Sequence, residues 1–295
     1  MNKIFIQANN KQMIGAFLAK FAIEKNISKK IEVEIINSDD CENLNSFHGK
    51  TYLRKGIITK WDINDLQSFT LTRFFPPEIM NYKGKALVID PDVFSIRDIS
   101  SIFDMDLKNK SILARKVYNS DESYYWASSV MLLDCKKLKH WNKSELLEKL
   151  AKKMIDYRDL TSLYLENQDE IGELEEKWNH YDILNSETIF LHNTNRITQP
   201  WKTGLDIDFF YENKSGLKIT YITKKFLKYI LGNILKIKRY KVKSYIQHSD
   251  PNQISYFFNL CNEAIKNKVI SIDYIRECID KKYIRSDFLS LIDEY

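Results

Sequence analysis

The hexapeptide KALVID at residues 85–90 restricts most what this chain can fold into. Its four consecutive apolar residues present no polar face, so they read as a buried strand of an α/β sheet. The strand ends abruptly in Asp90-Pro91-Asp92. In open α/β sheets, ligands bind beyond the carboxyl ends of the strands. Two carboxylates one residue apart in extended backbone can both approach one divalent cation. Oxygen donors suit Mg²⁺ or Mn²⁺, which neutralise a diphosphate. Pro91 stiffens the turn between them.

The neighbouring segments supply such a sheet. Residues 3–8 read as a short apolar strand and 31–36 as a second. Between them, residues 11–25 carry Met13, Ile14, Phe17, Leu18, Phe21 and Ala22 at helical spacing. The order predicts a βαβ unit with parallel strands. Residues 37–70 are polar and give no clear pattern. SVMLLDC (129–135) resembles the KALVID strand. Residues 144–166 form a helical pattern broken near Tyr157, with Ser144 as N-cap. SETIFLHN (186–193) reads as a late strand ending in His192.

After about residue 210 the character changes. Ten Lys or Arg and no Asp or Glu lie between Asn213 and Ser249. Removing those ten from the 45 basic residues leaves 35 against 40 acidic ones, a net charge of −5 where the whole chain has +5. The basicity is therefore local, which argues against a nucleic-acid-binding protein and for one cationic face. Residues 218–243 interleave Lys with Ile, Leu, Phe and Tyr, interrupted at Gly232. They read either as a helix that lies on an anionic membrane or as one packed on the rest of the chain with a solvated cationic side. Residues 251–295 read as short helices, the first with Pro251 at its first position. The expected fold class is α/β with a C-terminal, mostly α-helical basic extension, divided as 1–212 and 213–295.

With 8 Gly and 5 Pro in 295 residues, collagen-like and low-complexity chains are excluded. The opening MNKIFIQANN lacks the basic start and apolar run of a signal peptide. No stretch reaches the roughly 18 apolar residues of a membrane span. Cys41, Cys135, Cys261 and Cys278 are scattered without ligand-like spacing, so they read as reduced thiols. The expected location is cytoplasmic, and peripheral on the inner face of the membrane if the basic helix lies on it.

An Asp-x-Asp is unspecific by itself, and the chain holds two others, Asp104/Asp106 and Asp206/Asp208. Its surroundings say more. The stretch FTLTRFFPPEIMNYKGKALVIDPDVFSIRDISSIF (69–103) resembles glycosyltransferase family 8, retaining enzymes that use nucleotide sugars. The matching positions are Arg73, Tyr82, Gly84, Lys85, Asp90, Asp92, Asp98, Ile99 and Phe103. Four more segments follow the family's order. IFIQANNKQ (4–12) is similar to its nucleotide-binding first strand and loop. YYWASSVMLLDCKKLKHW (124–141) is similar to a later strand, and YRDLTSLYLE (157–166) to an acidic helix start. KWNHYD and IFLHNTNRITQPWKTG (177–204) are similar to the terminal His and Pro-Trp motif. The resemblance covers about residues 3–204. It implies the GT-A fold, a Rossmann-like architecture with a mixed, mostly parallel sheet flanked by helices.

It also implies a site. Asp90, Asp92 and His192 would hold Mn²⁺ or Mg²⁺, the imidazole being a softer donor that suits Mn²⁺. The nucleotide sugar would meet Ala8, Asn9, Asn10, Gln12, Arg73, Asp90, Pro91, Asp92, Ser128, Trp201, Lys202 and Gly204. Arg73 would lie near the donor sugar or diphosphate, or form a salt bridge to a site aspartate. Asp159 would hold the sugar's hydroxyls, or simply sit at a helix N-terminus. Arg158 stands beside it, near the reacting face, where the family often has Gln, and Asp159, Arg158 and Arg73 are the catalytic residues that the resemblance implies. Other departures are Asn9 and Asn10 for acidic residues, Gln12 for an aromatic, and Ala127-Ser128-Ser129 for Asn-Ser/Ala-Gly. Gln199 stands where a Lys usually precedes Pro-Trp, which leaves Lys202 as the candidate phosphate cation. The implied activity is metal-dependent, retaining transfer of a hexose from a nucleotide sugar, a UDP-hexose, to a glycan, lipid-linked or cell-envelope acceptor. The partners would be that donor, a carbohydrate or glycolipid acceptor, and an anionic membrane surface through residues 218–243. The alternative is a non-catalytic nucleotide-sugar or glycan-binding module on the same fold.

Overall fold

A computed structural model describes residues 2–209 and 243–295. Strand β1 (Asn2–Ala8) leads through a 3₁₀ turn into helix α1 (Met13–Asn26), and β2 (Glu32–Asn37) returns parallel to β1 with Ile4 opposite Val33. Asn9 starts the turn, its side chain accepting from the Gln12 N–H. The remaining strands of the main sheet are β5 (Lys85–Ile89), β7 (Ile112–Tyr118), β8 (Tyr124–Asp134) and β9 (Ile171–Glu173). The order is β2-β1-β5-β8-β7-β9. The pairs of β1 with β2, β1 with β5 and β7 with β9 are parallel, and β8 runs against both its neighbours.

The KALVID strand is thus central, and its lack of a polar face has a plain cause. Alternate side chains point to opposite faces, and both faces are covered. Leu87 and Ile89 join one apolar cluster with Ile4, Ile6 and α1. Ala86 and Val88 join a second with Phe74, Trp141 and Leu150.

Smaller elements sit around this frame. A hairpin of β3 (Thr51–Arg54) and β4 (Ile57–Lys60) lies within the stretch whose residues show no periodic pattern. A minor sheet joins β6 (Val93–Ser95), β10 (His180–Tyr181) and β11 (Phe190–His192), in the order β10-β11-β6. Only three residues of the expected late strand pair, and they set His192 opposite Val93. The expected helix over 144–166 is two pieces, α2 (Lys143–Ala151) and α3 (Tyr157–Thr161). Its N-cap is Asn142, whose side chain accepts from the Glu145 N–H at 3.0 Å, and not Ser144. Lys153 adopts a left-handed conformation (φ 59°) that stops α2. Asp156 then caps α3 while also accepting from the Lys55 and Gly56 N–H groups of the β3–β4 turn.

Beyond residue 243 come α4 (Pro251–Lys266), α5 (Ile272–Asp280) and α6 (Phe288–Glu294). Asp250 caps α4 and Pro251 takes the first position, as expected. The three helices share the apolar cluster of α1 and the sheet through Phe257, Phe258, Ile275 and Phe288. The basic stretch 218–243, apart from Lys243, and the expected division at 212/213 lie outside the described residues. The flanks of that stretch meet: the Ile207 N–H donates to the Lys243 carbonyl (3.0 Å) and the Tyr245 N–H to that of Leu205 (2.8 Å). All four cysteines are free thiols. Among the described residues no helix is long and apolar enough to cross a membrane.

Phe257 is 1% exposed and lies among Phe94, Phe258, Phe288 and Trp201. Phe257→Ala is expected to cost about 3–5 kcal/mol of stability, read from the urea midpoint. An unchanged midpoint would mean that α4 is not integral to the core.

Candidate active site

The acidic pair begins where β5 ends. The Asp90 N–H still bonds to the Ser129 carbonyl of β8 (3.0 Å), and the Val93 N–H closes a turn on the Asp90 carbonyl (3.3 Å). Helix α1 backs that turn through Gly15. A Cβ on Gly15 would stand 2.5 Å from the Pro91 carbonyl oxygen, so only glycine permits this approach.

Both carboxylates are buried, Asp90 at 5% and Asp92 at 7% exposure. Asp90 is met by Arg73, carried on a 3₁₀ segment (Ser68–Phe74). Arg73 Nε donates to Asp90 Oδ1 at 2.8 Å and Nη2 to Oδ2, a two-pronged pair. Arg73 Nη1 donates to Ser128 Oγ (2.9 Å), which donates to the Thr161 carbonyl (2.6 Å). The salt bridge read for Arg73 is present, and the same side chain lines the cleft described below. Burial pushes the Asp90 carboxyl above its ordinary range, and the Arg73 charge works against that rise.

Asp92 is held differently. Its Oδ2 accepts from Gln199 Nε2 (3.0 Å), and Gln199 Oε1 accepts from Gln12 Nε2 (3.3 Å). Its Oδ1 is buried and without a hydrogen-bond partner. His192 Nε2 stands 3.4 Å from that atom. The other ring nitrogen fixes the tautomer. Asn179 Nδ2 donates to Ser129 Oγ (3.1 Å), so Asn179 Oδ1 faces His192 and accepts from Nδ1 at 2.7 Å. The Nε2 lone pair is then directed at a carboxylate oxygen. Two acceptors facing each other at this distance form a donor set suited to a cation. Asp90, Asp92 and His192 each offer a ligand atom within 4.8 Å of the others. Two hard oxygens and one imidazole fit Mn²⁺ or Mg²⁺.

These residues lie in a cleft of about 550 Å³, also lined by Gln12, Arg73, Ser128, Arg158, Arg196 and Gln199. The guanidinium of Arg158 lies 4.9 Å from the Tyr125 ring centre. Other expected site residues stand outside the lining. Ala8 and Pro91 are buried in the frame. The Asn9 amide donates to the Asp65 and Leu66 carbonyls and to Ser68 Oγ, and so pins that loop to the end of β1. Asn10 is held on the surface by Asp39 and Asn37. Trp201 is a core residue stacked on Phe257, with ring centres 4.7 Å apart. Gly204 makes a left-handed turn (φ 87°) and donates to the Tyr245 carbonyl. Lys202 has no exposure and is ion-paired with Asp208 at 3.2 Å. Asp159 also does not line the cleft; burial and the nearby Asp156 raise its carboxyl pKa.

Three residues of the site carry no role in the sequence reading. Gly15 is signalled only as an isolated glycine inside a helical pattern. Asn179 lies in the KWN segment, and its role becomes visible once His192 is beside it. Arg196 has no sequence signal beyond its place between His192 and Pro200.

The sheet and its flanking helices have the GT-A arrangement. The fold is similar to that of the glycosyltransferase GlyE of Streptococcus pneumoniae, with a TM-score of 0.50 and 15% identity over 70% of this chain and 58% of that one. The chain thus spans less than two thirds of GlyE. Other similar structures are the galactosyltransferase LgtC in complex with donor and acceptor sugar analogs (TM-score 0.46, 16% identity, 68% of this chain and 89% of that one) and mouse xyloside xylosyltransferase 1 (0.44, 13%, 66% and 99%). The chain matches no protein-family model and no curated protein by sequence.

Alanine at an ordinary helix position is worth about 1 kcal/mol over glycine. Gly15→Ala is expected instead to lower stability, since crowding a packed site costs about 1–3 kcal/mol, and to weaken Mn²⁺ binding by shifting the Asp90–Asp92 turn. Urea unfolding and Mn²⁺ titration read both. A variant as stable as the parent with unchanged Mn²⁺ affinity would contradict the close approach.

Proposed function

We propose that this chain is a metal-dependent, retaining glycosyltransferase that moves a hexose from a nucleotide sugar, a UDP-sugar, to a glycan, lipid-linked or cell-envelope acceptor. The observation that carries the reading is the buried Asp90–Asp92–His192 cluster at the carboxyl end of β5, with Asp92 Oδ1 unpartnered and facing His192 Nε2. The GT-A arrangement, and the order of the five sequence segments similar to glycosyltransferase family 8, support it. The cleft volume of about 550 Å³ lies within the range of small-molecule sites.

Asp90, Asp92 and His192 would hold the cation, which supplies Lewis-acid neutralisation of the diphosphate charge. The protein's part is to fix the donor atoms. Arg73 orients Asp90, Gln199 orients Asp92, and Asn179 keeps the His192 proton on Nδ1. Among the described residues lining the cleft, the only carboxylates are Asp90 and Asp92. Both belong to the cation cluster, so among the described lining residues no carboxylate remains to act as a covalent nucleophile. This favours front-face attack, in which the acceptor oxygen bonds to the anomeric carbon on the side the phosphate leaves. The leaving phosphate then takes the acceptor's proton. The lipid-linked or cell-envelope acceptor and the membrane contact rest on the basic sequence 218–243, outside the described residues.

Thermal-shift measurements against nucleotide sugars, with and without Mn²⁺, test the reading. A ligand bound to the native state at 100 times its Kd adds about 2.7 kcal/mol of stability. Wild-type protein should show a Mn²⁺-dependent shift with a UDP-sugar. Asp92→Asn is the cleanest probe because it leaves the Arg73–Asp90 pair intact. It should weaken Mn²⁺-dependent binding at least about tenfold with the ligand-free melting temperature little changed. No shift with any nucleotide sugar, or full binding by Asp92→Asn, would sink the proposal.

A further inference from the structure

The transferase reading needs a cation for the charge that develops on the leaving diphosphate, and the expected one is engaged elsewhere. Lys202 is fully buried beside Asp208, whose other oxygen accepts from the Tyr245 hydroxyl (2.6 Å). It lies outside the cleft lining. Gln199 is neutral and bonded to Asp92.

Lys55 of the β3–β4 turn and four arginines line the cleft, and the arginines differ in what they face. Arg73 is matched by Asp90. Arg158 lies over Tyr125 and beside Asp159, whose carboxyl its charge influences. Arg54 lies over the Tyr157 ring. Arg196 stands on the loop between His192, which offers a ligand atom to the cluster, and Gln199, which holds Asp92. Its Nη1 donates to Gln67 Oε1 at 2.7 Å, and its guanidinium lies 5.4 Å from the Phe209 ring centre. Both partners are neutral, and among the described residues it forms no ion pair with a carboxylate. Burial disfavours its charge. Asp65 and Asp92 favour that charge from a distance without pairing with it, so a partly buried guanidinium facing the cleft keeps its capacity for a direct anionic partner.

We infer that Arg196 is the side chain that grips the donor's diphosphate, in the role the sequence suggested for Lys202. This rests on the nucleotide-sugar reading. The planar fork of an arginine matches two phosphate oxygens at once. The bond between the anomeric carbon and the phosphate oxygen breaks with its electron pair going to that oxygen. The acceptor oxygen bonds the carbon, and its proton goes to the phosphate. Arg196 offsets the charge that builds there.

The test is calorimetric binding of UDP, inorganic pyrophosphate and uridine, each with Mn²⁺, to wild type, Arg196→Gln and Arg196→Lys. Ligand-free melting of each variant checks the fold. Arg196→Gln should weaken UDP and pyrophosphate binding roughly ten- to a hundredfold and leave uridine unchanged, while Arg196→Lys recovers part of the loss. If wild type binds UDP and Arg196→Gln binds it equally well, the Arg196 assignment falls and the transferase reading stands. Pyrophosphate bound through Arg196 without any nucleotide binding would uphold the anion grip and sink the transferase reading. Equal loss of uridine and UDP would mark a structural role and overturn the assignment. If wild type binds neither phosphate ligand, both fall.

Discussion

Burying the Asp90 carboxylate at the end of an apolar strand obliges the chain to bring a cation to it, and that cation is Arg73. Removing one member of such a buried pair leaves an uncompensated charge, typically at about 3–5 kcal/mol. One guanidinium therefore gathers several elements. The 3₁₀ segment that carries it crosses β1, where Thr72 Oγ1 donates to Gln7 Oε1 (2.6 Å). Its third nitrogen reaches Ser128 of β8, and Ser128 reaches the end of α3. The metal-ligating geometry proposed for Asp92 and His192 is built against this fixed point, with Gln199 and Asn179 as its outer supports.

The parts of the fold legible in the sequence were those where burial leaves a periodic trace. KALVID has no polar face because both sides of β5 are covered, and α1 shows its apolar face between two parallel strands. The hairpin of β3 and β4 left no such trace, since its strands are short and Ile57 and Ile58 are exposed. The N-cap of α2 was misplaced by two residues because Asn142 and Ser144 are both good caps. The choice falls to Asn142, whose backbone is extended (φ −99°, ψ 128°) and whose side chain reaches the Glu145 N–H.

The same division runs through the site. Asp90, Asp92 and His192 were legible as chemistry at a strand end. The fate of Lys202 was not, because a lysine is a surface residue by default. Its burial depends on Asp208 and Tyr245 meeting it from two strand-like segments that pair only in three dimensions. Arg196 and Lys202 are both basic residues near Pro200 in sequence; only burial and partners separate a structural ion from one facing the cleft.

Trp201 joins this site to the far end of the chain. One side of its ring is stacked on Phe257 of α4, and its Cζ2 stands 3.8 Å from where a Gly15 Cβ would be, behind the Pro91 turn. The acidic turn is therefore backed by a wedge whose own support is encoded more than 150 residues later. The carboxylates are thus placed by α1 and, through Trp201, by α4, as well as by the strand that carries them.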